Sequence, residues 1–325
     1  MRLRIATFNV ENLDEPRRHG VSLDERIAVL RPQLLALRAD VLCLQEVNAQ
    51  DRRDPQHALR ALDRLLEGTR YAGYERATTL NSSGEGPSDK HNLVVLSALP
   101  IRGARQHWHD SVEPPILRLA TTPQPRTEVV HWDRPLLEVR LALPTGRELV
   151  VFDVHLRAPL ASNIEGQKLA PLVWRSTEGW AEGFFVAAVK QLGQALELRR
   201  LVDRLLDDDA EAPIAVAGDL NADLWSAAVR TLRADSEDTG NPALDARSLV
   251  ELAERVPLER RYTVLHRGRR LLLDHLLVTR ALARGFVDAE ILNEDLPDEY
   301  EAPLAGLTPR GSLHAPFVAE LELED

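Results

Sequence analysis

The chain holds a single cysteine among 325 residues, Cys43, so no disulfide can form within it. Cys43 lies in the apolar run Val41-Leu42-Cys43-Leu44 and reads as a packed core residue rather than a nucleophile. An excess of positive charge is also missing. The formal net charge is -11, with a pI near 5.5. That argues against a broad electrostatic grip on polyanionic nucleic acid, because phosphate contacts need Lys and Arg. A local basic cleft remains open, and an acidic balance is also a common solubility feature. No apolar run approaches the roughly 20 residues of a membrane-spanning helix, so no membrane span is expected. No secretory leader is expected ahead of the first strand, and the expected location is cytoplasmic. Neither a fixed-period repeat nor a linker divides the sequence. At 44% hydrophobic and 28% charged residues the composition is that of an ordinary globular protein. The expectation is one α+β domain over residues 1–325, with helices outside packed sheets, and a monomer.

Strand-like and helix-like patterns are both present. Residues 2–8, 40–46, 93–96, 213–218, 271–278 and 316–323 predict strands. Residues 136–143 and 148–155 predict a hairpin around Pro144-Thr145-Gly146. Residues 23–38 predict a helix with Ile27, Leu30, Leu34 and Leu37 on one face. Residues 56–67 repeat that pattern and stop at Gly68. Helices are also expected over 191–207 and 223–234. Five prolines make residues 110–135 mostly loop. The segment 158–190 carries Trp174, Trp180, Phe184 and Phe185 without clean periodicity. It reads as an insertion, either a cover over a site or a surface excursion over core edges.

What the apolar runs deliver is more telling. The first ends at Asn9, Val41–Gln45 delivers Glu46, and Leu149–Val154 delivers His155. Pro213–Gly218 delivers Asp219 and Asn221, Leu271–Leu273 leads to Asp274, and Ser312-Leu313 leads to His314. One polar group ending a buried strand is ordinary. This many, all of metal-ligand or proton-transfer type, point to one site gathered at a common edge of a sheet core.

In this order Thr7-Phe8-Asn9-Val10, Leu44-Gln45-Glu46, Asp153-Val154-His155-Leu156, Gly218-Asp219-Leu220-Asn221-Ala222, Leu273-Asp274-His275 and Ser312-Leu313-His314-Ala315-Pro316 resemble the endonuclease/exonuclease/phosphatase superfamily, its DNase I-like branch in particular. Each motif alone is weak. The ordered set spans nearly the whole chain. The resemblance implies a four-layer α/β/β/α sandwich of two packed mixed β-sheets flanked by helices. It also implies divalent-metal-dependent hydrolysis of a phosphoester.

Such hydrolysis needs charge neutralisation at the non-bridging oxygens, an activated water and help for the leaving oxygen. Mg²⁺, with Mn²⁺ as a substitute, suits the first task because a hard cation prefers oxygen ligands. By resemblance Glu46 is the metal carboxylate, and Asn9 the amide that places metal or phosphate. Asp219 orients or deprotonates the attacking water, and Asn221 holds phosphate or metal. A two-residue spacing puts both on one face of an extended segment, although Asp-x-Asn can equally cap the helix that follows. His314, paired with Asp274, supplies an imidazolium, and His155 acts as general acid or phosphate ligand. Arg134 and Asn92 occupy phosphate-contacting positions of relatives; the plainer readings are a loop Arg and a strand-start Asn. His275 would face the opposite side of its strand and pack.

One position departs from the pattern. Leu313 stands where most relatives carry the Asp of Ser-Asp-His. The enzyme then works with one acid fewer, or Glu299 or Glu301 substitutes, or the scaffold binds without turnover. The reading is an active but divergent hydrolase, most simply a phosphodiesterase or nuclease. A phosphomonoesterase of a small phosphorylated or lipid head-group substrate is the alternative, and a non-catalytic binding protein the third. The expected partner is a phosphoester substrate, with nucleic acid as one case.

Overall fold

The computed structural model describes residues 1–15, 20–50, 58–304 and 309–323. In chain order the strands are β1 (Arg2–Leu13), β2 (Val41–Val47), β3 (Glu75–Thr78), β4 (Asn92–Ser97), β5 (Ile101–His107) and β6 (Ile116–Leu119). Then come β7 (Arg126–Val129), β8 (Leu136–Ala142), β9 (Glu148–His155), β10 (Lys168–Ala170), β11 (Val173–Trp174) and β12 (Ile214–Asp219). The last are β13 (Leu249–Glu251), β14 (Val264–His266), β15 (Arg269–Leu271), β16 (Asp274–Thr279), β17 (Phe286–Ile291) and β18 (Phe317–Glu322). The longer helices are α1 (Leu23–Leu37), α2 (Arg60–Leu66), α3 (Thr177–Asp208) and α4 (Ala227–Arg233).

Two six-stranded mixed sheets form the centre, in the orders β17-β18-β1-β2-β4-β3 and β13-β16-β12-β9-β8-β5. Each contains one parallel pair, β1 with β2 and β9 with β12; all other neighbours are antiparallel. A parallel pair requires a crossover. Helix α1 makes it in the first sheet and α3 in the second, which accounts for helices on the outer faces.

Alternation along β1 and β2 explains the layering. Ala6, Phe8, Leu42 and Leu44 join a buried cluster with Leu30, Leu34 and Leu62 of the outer helices. Leu3, Ile5, Val41 and Cys43 face the other way into the core, with Val139, Val151 and Phe152 of the second sheet and Leu198 and Val202 of α3. The two faces make the expected α/β/β/α sandwich. Burial pushes the Cys43 thiol well above its usual range, with the Asp153 charge adding to it, as befits a packed residue.

Several boundaries differ from the sequence pattern. β1 runs on to Leu13. Residues 56 and 57 of the second expected helix lie outside the described residues. Residues 110–135 contain the hairpin β6–β7, whose strands lie away from the two sheets and lack a core-facing alternation. α3 begins at Thr177 rather than 191, capped by Ser176, whose Oγ accepts from Gly179 N. Its early turns pack on the short excursion 158–176 rather than on a sheet, so Trp180, Phe184 and Phe185 stay exposed and no apolar stripe forms. α4 starts at Ala227 because Ser226 caps it. Leu271 belongs to the small hairpin β14–β15 rather than to β16. No helix of the described residues is long and apolar enough to cross a membrane.

Candidate active site

The carboxyl ends of the two parallel pairs meet, and ligand sites in sheets with parallel strands lie beyond such ends. In the second sheet the register puts Asp219 directly between His155 of β9 and Asp274 of β16. Side chains directly opposite one another share a face, so these groups are neighbours by construction. In the first sheet Asn9 is paired with Gln45. Alternation alone would aim Glu46 outward with Leu42 and Leu44. A register shift between Leu44 and Val47 and a left-handed backbone at Glu46 (φ 62) turn it instead, as bulges do.

The polar atoms converge. Asn9 Nδ2 donates to Asp219 Oδ2 (3.0 Å) and Glu46 Oε1 (3.3 Å). His155 Nε2 lies 3.4 Å from Asp219 Oδ2 and 3.8 Å from Glu46 Oε1. Asn221 N donates to Asp219 Oδ1 (2.7 Å), and Asn221 Nδ2 to Asp219 Oδ2 and the Leu156 carbonyl (both 3.2 Å). His314 Nδ1 is 2.8 Å from Asp274 Oδ2, with Nε2 3.9 Å from Asp219 Oδ2. Arg134 reaches the Leu156 carbonyl through Nη1 at 3.4 Å.

Gly218 makes the approach of β12 to β9 possible. Its φ is +147, and an added Cβ would lie 1.9 Å from the Val154 carbonyl oxygen. Gln45 ties the sheets below the site, donating to Asp153 Oδ1 at 2.7 Å. Burial pushes the Asp153 carboxyl well above its usual range.

Burial and charge set the protonation states. Desolvation raises Asp219 to about 6; Asp274 adds to the rise and His314 opposes it. Burial works against the His314 cation, yet Asp274 and Asp219 hold it up at about 10. His155 falls well below its ordinary value, first by burial and then through the charges of Arg134, His91 and His314. A neutral imidazole suits a phosphate-directed N–H better than a general acid.

The sequence matches the Endonuclease/Exonuclease/phosphatase family over residues 6–296. The chain belongs to that family. Its members are divalent-metal-dependent phosphoester hydrolases, and the chain is such an enzyme. No curated protein matches the sequence. Among solved structures, an AP endonuclease from Archaeoglobus fulgidus is similar at 17% identity and TM-score 0.53, covering 99% of this chain and 100% of that one. A mannosyl-6-phosphatase from Bacteroides thetaiotaomicron has 14% identity and TM-score 0.59, with coverage of 99% and 100%. A truncated TDP2 from Caenorhabditis elegans has 14% identity and TM-score 0.54, with coverage of 98% and 97%. At these identities the likeness shows the shared fold.

Two groups of ligand-type side chains lie in the site. Glu46, His91 and His155 form one, and Asp219, Asp274 and His314 the other, each with ligand atoms within 4.8 Å of one another; in the second, His314 is held as a cation, which leaves only the two carboxylates to offer a metal a lone pair. Glu46 offers the more accessible carboxylate, half-buried where Asp219 and Asp274 are buried. Asn9 is turned as a donor: its Oδ1 accepts from Glu11 N at 2.9 Å, so it bridges two carboxylates through its NH₂.

Asn92 stands apart from this convergence. Its Nδ2 donates to the Val47 and Ser88 carbonyls, while its Oδ1 accepts from Ser88 N and Thr79 Oγ1. Its capacity is spent fastening the loop before β4. Glu299 pairs with His266 at 2.5 Å and Glu301 is exposed. The acid drawn to Leu313 is Glu11, whose Oε2 accepts the Leu313 N–H at 2.9 Å. His275 packs on the far face, between Glu251 (2.6 Å) and the Ala222 carbonyl (2.8 Å).

His91 is the site neighbour that sequence reasoning passed over. Its Nδ1 lies 3.9 Å from Glu46 Oε2 and 3.4 Å from Arg134 Nη2. The available signal was its place beside Asn92 at a strand start.

Proposed function

We propose that the chain is a Mg²⁺-dependent phosphodiesterase in which Asp219 aligns the attacking water and His314 stabilises charge on phosphorus. The observation that carries this reading is the convergence on Asp219 Oδ2 of Asn9, His155, His314 and Asn221 from four separate segments. A bound divalent ion supplies charge neutralisation at the phosphate oxygens, and Glu46 is the carboxylate that would hold it.

The chain's own groups do the rest. Asn9 and the Asn221 backbone N–H fix the Asp219 carboxylate, so one orientation is presented to water. The Asp274–His314 pair keeps a cation in a buried setting, where a fixed charge counts for more than in solvent. His155 presents a neutral N–H toward the same place, and Arg134 adds a positive charge beside it. Mn²⁺ is the expected substitute ion. The expected location is the cytoplasm, and the expected assembly a monomer of one domain.

Hydrolysis of bis-p-nitrophenyl phosphate beside p-nitrophenyl phosphate tests the reading. Diester cleavage should require Mg²⁺ or Mn²⁺ and fall by about 10²–10⁴ in Asp219→Ala, the range for a positioned proton-transfer group. Preferential cleavage of the monoester would redirect the assignment to small phosphorylated metabolites. Metal-dependent turnover undiminished in Asp219→Ala would overturn the role of Asp219.

A further inference from the structure

Beside the site lies a cup of about 290 Å³ formed by β7, the loop after β9 and α3. It adjoins the phosphate-facing groups through the chain itself. Asp133 precedes Arg134, Arg157 follows Leu156, and Lys190 precedes Gln191. The Gln191 side-chain amide donates to the carbonyls of Arg157 (2.9 Å) and Asn221 (2.9 Å). The charges of Asp133 and Arg157 both act on Arg134.

The cup has two kinds of wall. Its floor is aliphatic, since Leu119, Val130, Ile164 and Val186 form a buried cluster of their own. Its rim is polar. Asp133 Oδ1 accepts from Lys190 Nζ at 2.6 Å and lies in a salt bridge through Oδ2 with Arg157 Nη1 at 3.2 Å. Each carboxylate oxygen thereby keeps a further lone pair. Arg157 Nε and Ser162 Oγ are buried and have no hydrogen-bond partner among the described residues. Buried polar groups are nearly always paired, so both are suited to a ligand.

We propose that this cup is the subsite for a sugar or polyol attached to the scissile phosphate, an inference that rests on the hydrolase reading above. Such a ring has a C–H face and hydroxyl edges. The aliphatic floor takes the face. Asp133 accepts from hydroxyls, while Arg157 and Ser162 donate to them. A nucleobase would call for an aromatic platform; among the described residues no phenyl or indole ring lines the cup, and its one aromatic ring is the exposed His131 at the rim rather than on the aliphatic floor. A second phosphate would meet the Asp133 carboxylate. The volume lies near the lower end of the roughly 300–1,000 Å³ range of small-molecule pockets, which favours a single ring.

The test is calorimetric titration of the Mg²⁺-loaded protein in an Asp219→Asn background, so that nothing is turned over. The probes are glucose 6-phosphate, adenosine 5′-monophosphate and inorganic phosphate. Glucose 6-phosphate should bind about tenfold or more tighter than inorganic phosphate, one well-made contact set. Val186→Trp, which fills the floor, should abolish that margin and leave phosphate affinity unchanged. Asp133→Asn, at an exposed position, should weaken glucose 6-phosphate severalfold. It should leave phosphate binding equal or tighter, because a negative charge beside Arg134 is gone. Phosphate binding without any sugar margin, or a margin that survives both substitutions, would overturn the cup proposal alone. Tighter binding of the nucleotide than of the sugar phosphate would assign the cup to a base and overturn it likewise. Failure to bind any probe, with wild-type protein inert on bis-p-nitrophenyl phosphate, would remove the hydrolase reading and the cup with it.

Discussion

Asp219 and His314 lie 3.9 Å apart and are held in opposite charge states by one buried strip. Burial raises the Asp219 carboxyl to about 6, and two carboxylates raise the His314 imidazole to about 10. Between those limits a carboxylate and an imidazolium coexist, which is what water alignment and charge stabilisation require. The dependence of kcat/KM on pH should therefore rise through about 6 and fall near 10, reporting the coupled pair rather than either residue alone. In Asp274→Asn the largest support for the His314 cation is gone, so the falling limb should move toward neutral pH while the rising limb moves down, since Asp274 also raises Asp219. A falling limb unmoved in that variant would remove His314 from the mechanism. At this scale the sequence was most legible where a polar residue ends a buried strand, as His155 and Asp219 do. Glu11 and His91 escaped because neither is delivered by an apolar run, as Glu46 is; both sit at left-handed backbone positions (φ 51 and 58), where tertiary contacts set their direction.

Among the elements, β12 is the one on which most depends, and Gly218 is its tightest point. Ala at 218 would put a Cβ 1.9 Å from the Val154 carbonyl and force β9 from β12. We expect Gly218→Ala to cost about 1–3 kcal/mol, as overpacking does, and to lower activity more than stability alone explains, because Asp219 and His155 follow directly. Urea unfolding and kcat/KM measured together check this; a variant as stable and active as wild type would refute it. The strand behind, β16, carries a second titration. Burial pulls His275 down, but Glu251 and the Ala222 carbonyl outweigh it, and the net shift is upward. A raised folded value stabilises fully below the unfolded value of about 6.5 and is lost as pH rises through the folded one. Unfolding free energy should thus decline on the alkaline side of neutrality in wild type and decline less in His275→Gln, read from urea midpoints across that range. Helices such as α1 were legible because one face meets a sheet and Ser22 with Glu25 forms a capping box. The start of α3 and the hairpin β6–β7 were not, because each packs on an excursion and shows no single buried face.

For the molecule as a whole, the two sheets bring their parallel pairs to one edge, and with them Glu46, Asp219 and Asp274. Packed sheets with helices outside were legible because both central strand pairs are near-continuous apolar runs; the four-layer order came with the resemblance of the motif set. The cup beside the site was not, since its walls come from segments distant in sequence that share no pattern. Three acids at one edge of a chain of net charge -11 repel one another, and a divalent ion relieves that repulsion only in the folded state. Mg²⁺ should therefore raise the melting temperature, and a chelator should reverse it. At a hundredfold excess over Kd the stabilisation is about 2.7 kcal/mol. Glu46→Gln separates this from a general salt effect through two opposite signs. Losing one of the repelling charges raises the metal-free melting temperature. Losing the carboxylate ligand shrinks the further rise that Mg²⁺ gives. Thermal unfolding of both proteins, with Mg²⁺ and with chelator, decides the matter: an undiminished Mg²⁺ response in Glu46→Gln would place the ion on the Asp219 and Asp274 carboxylates instead.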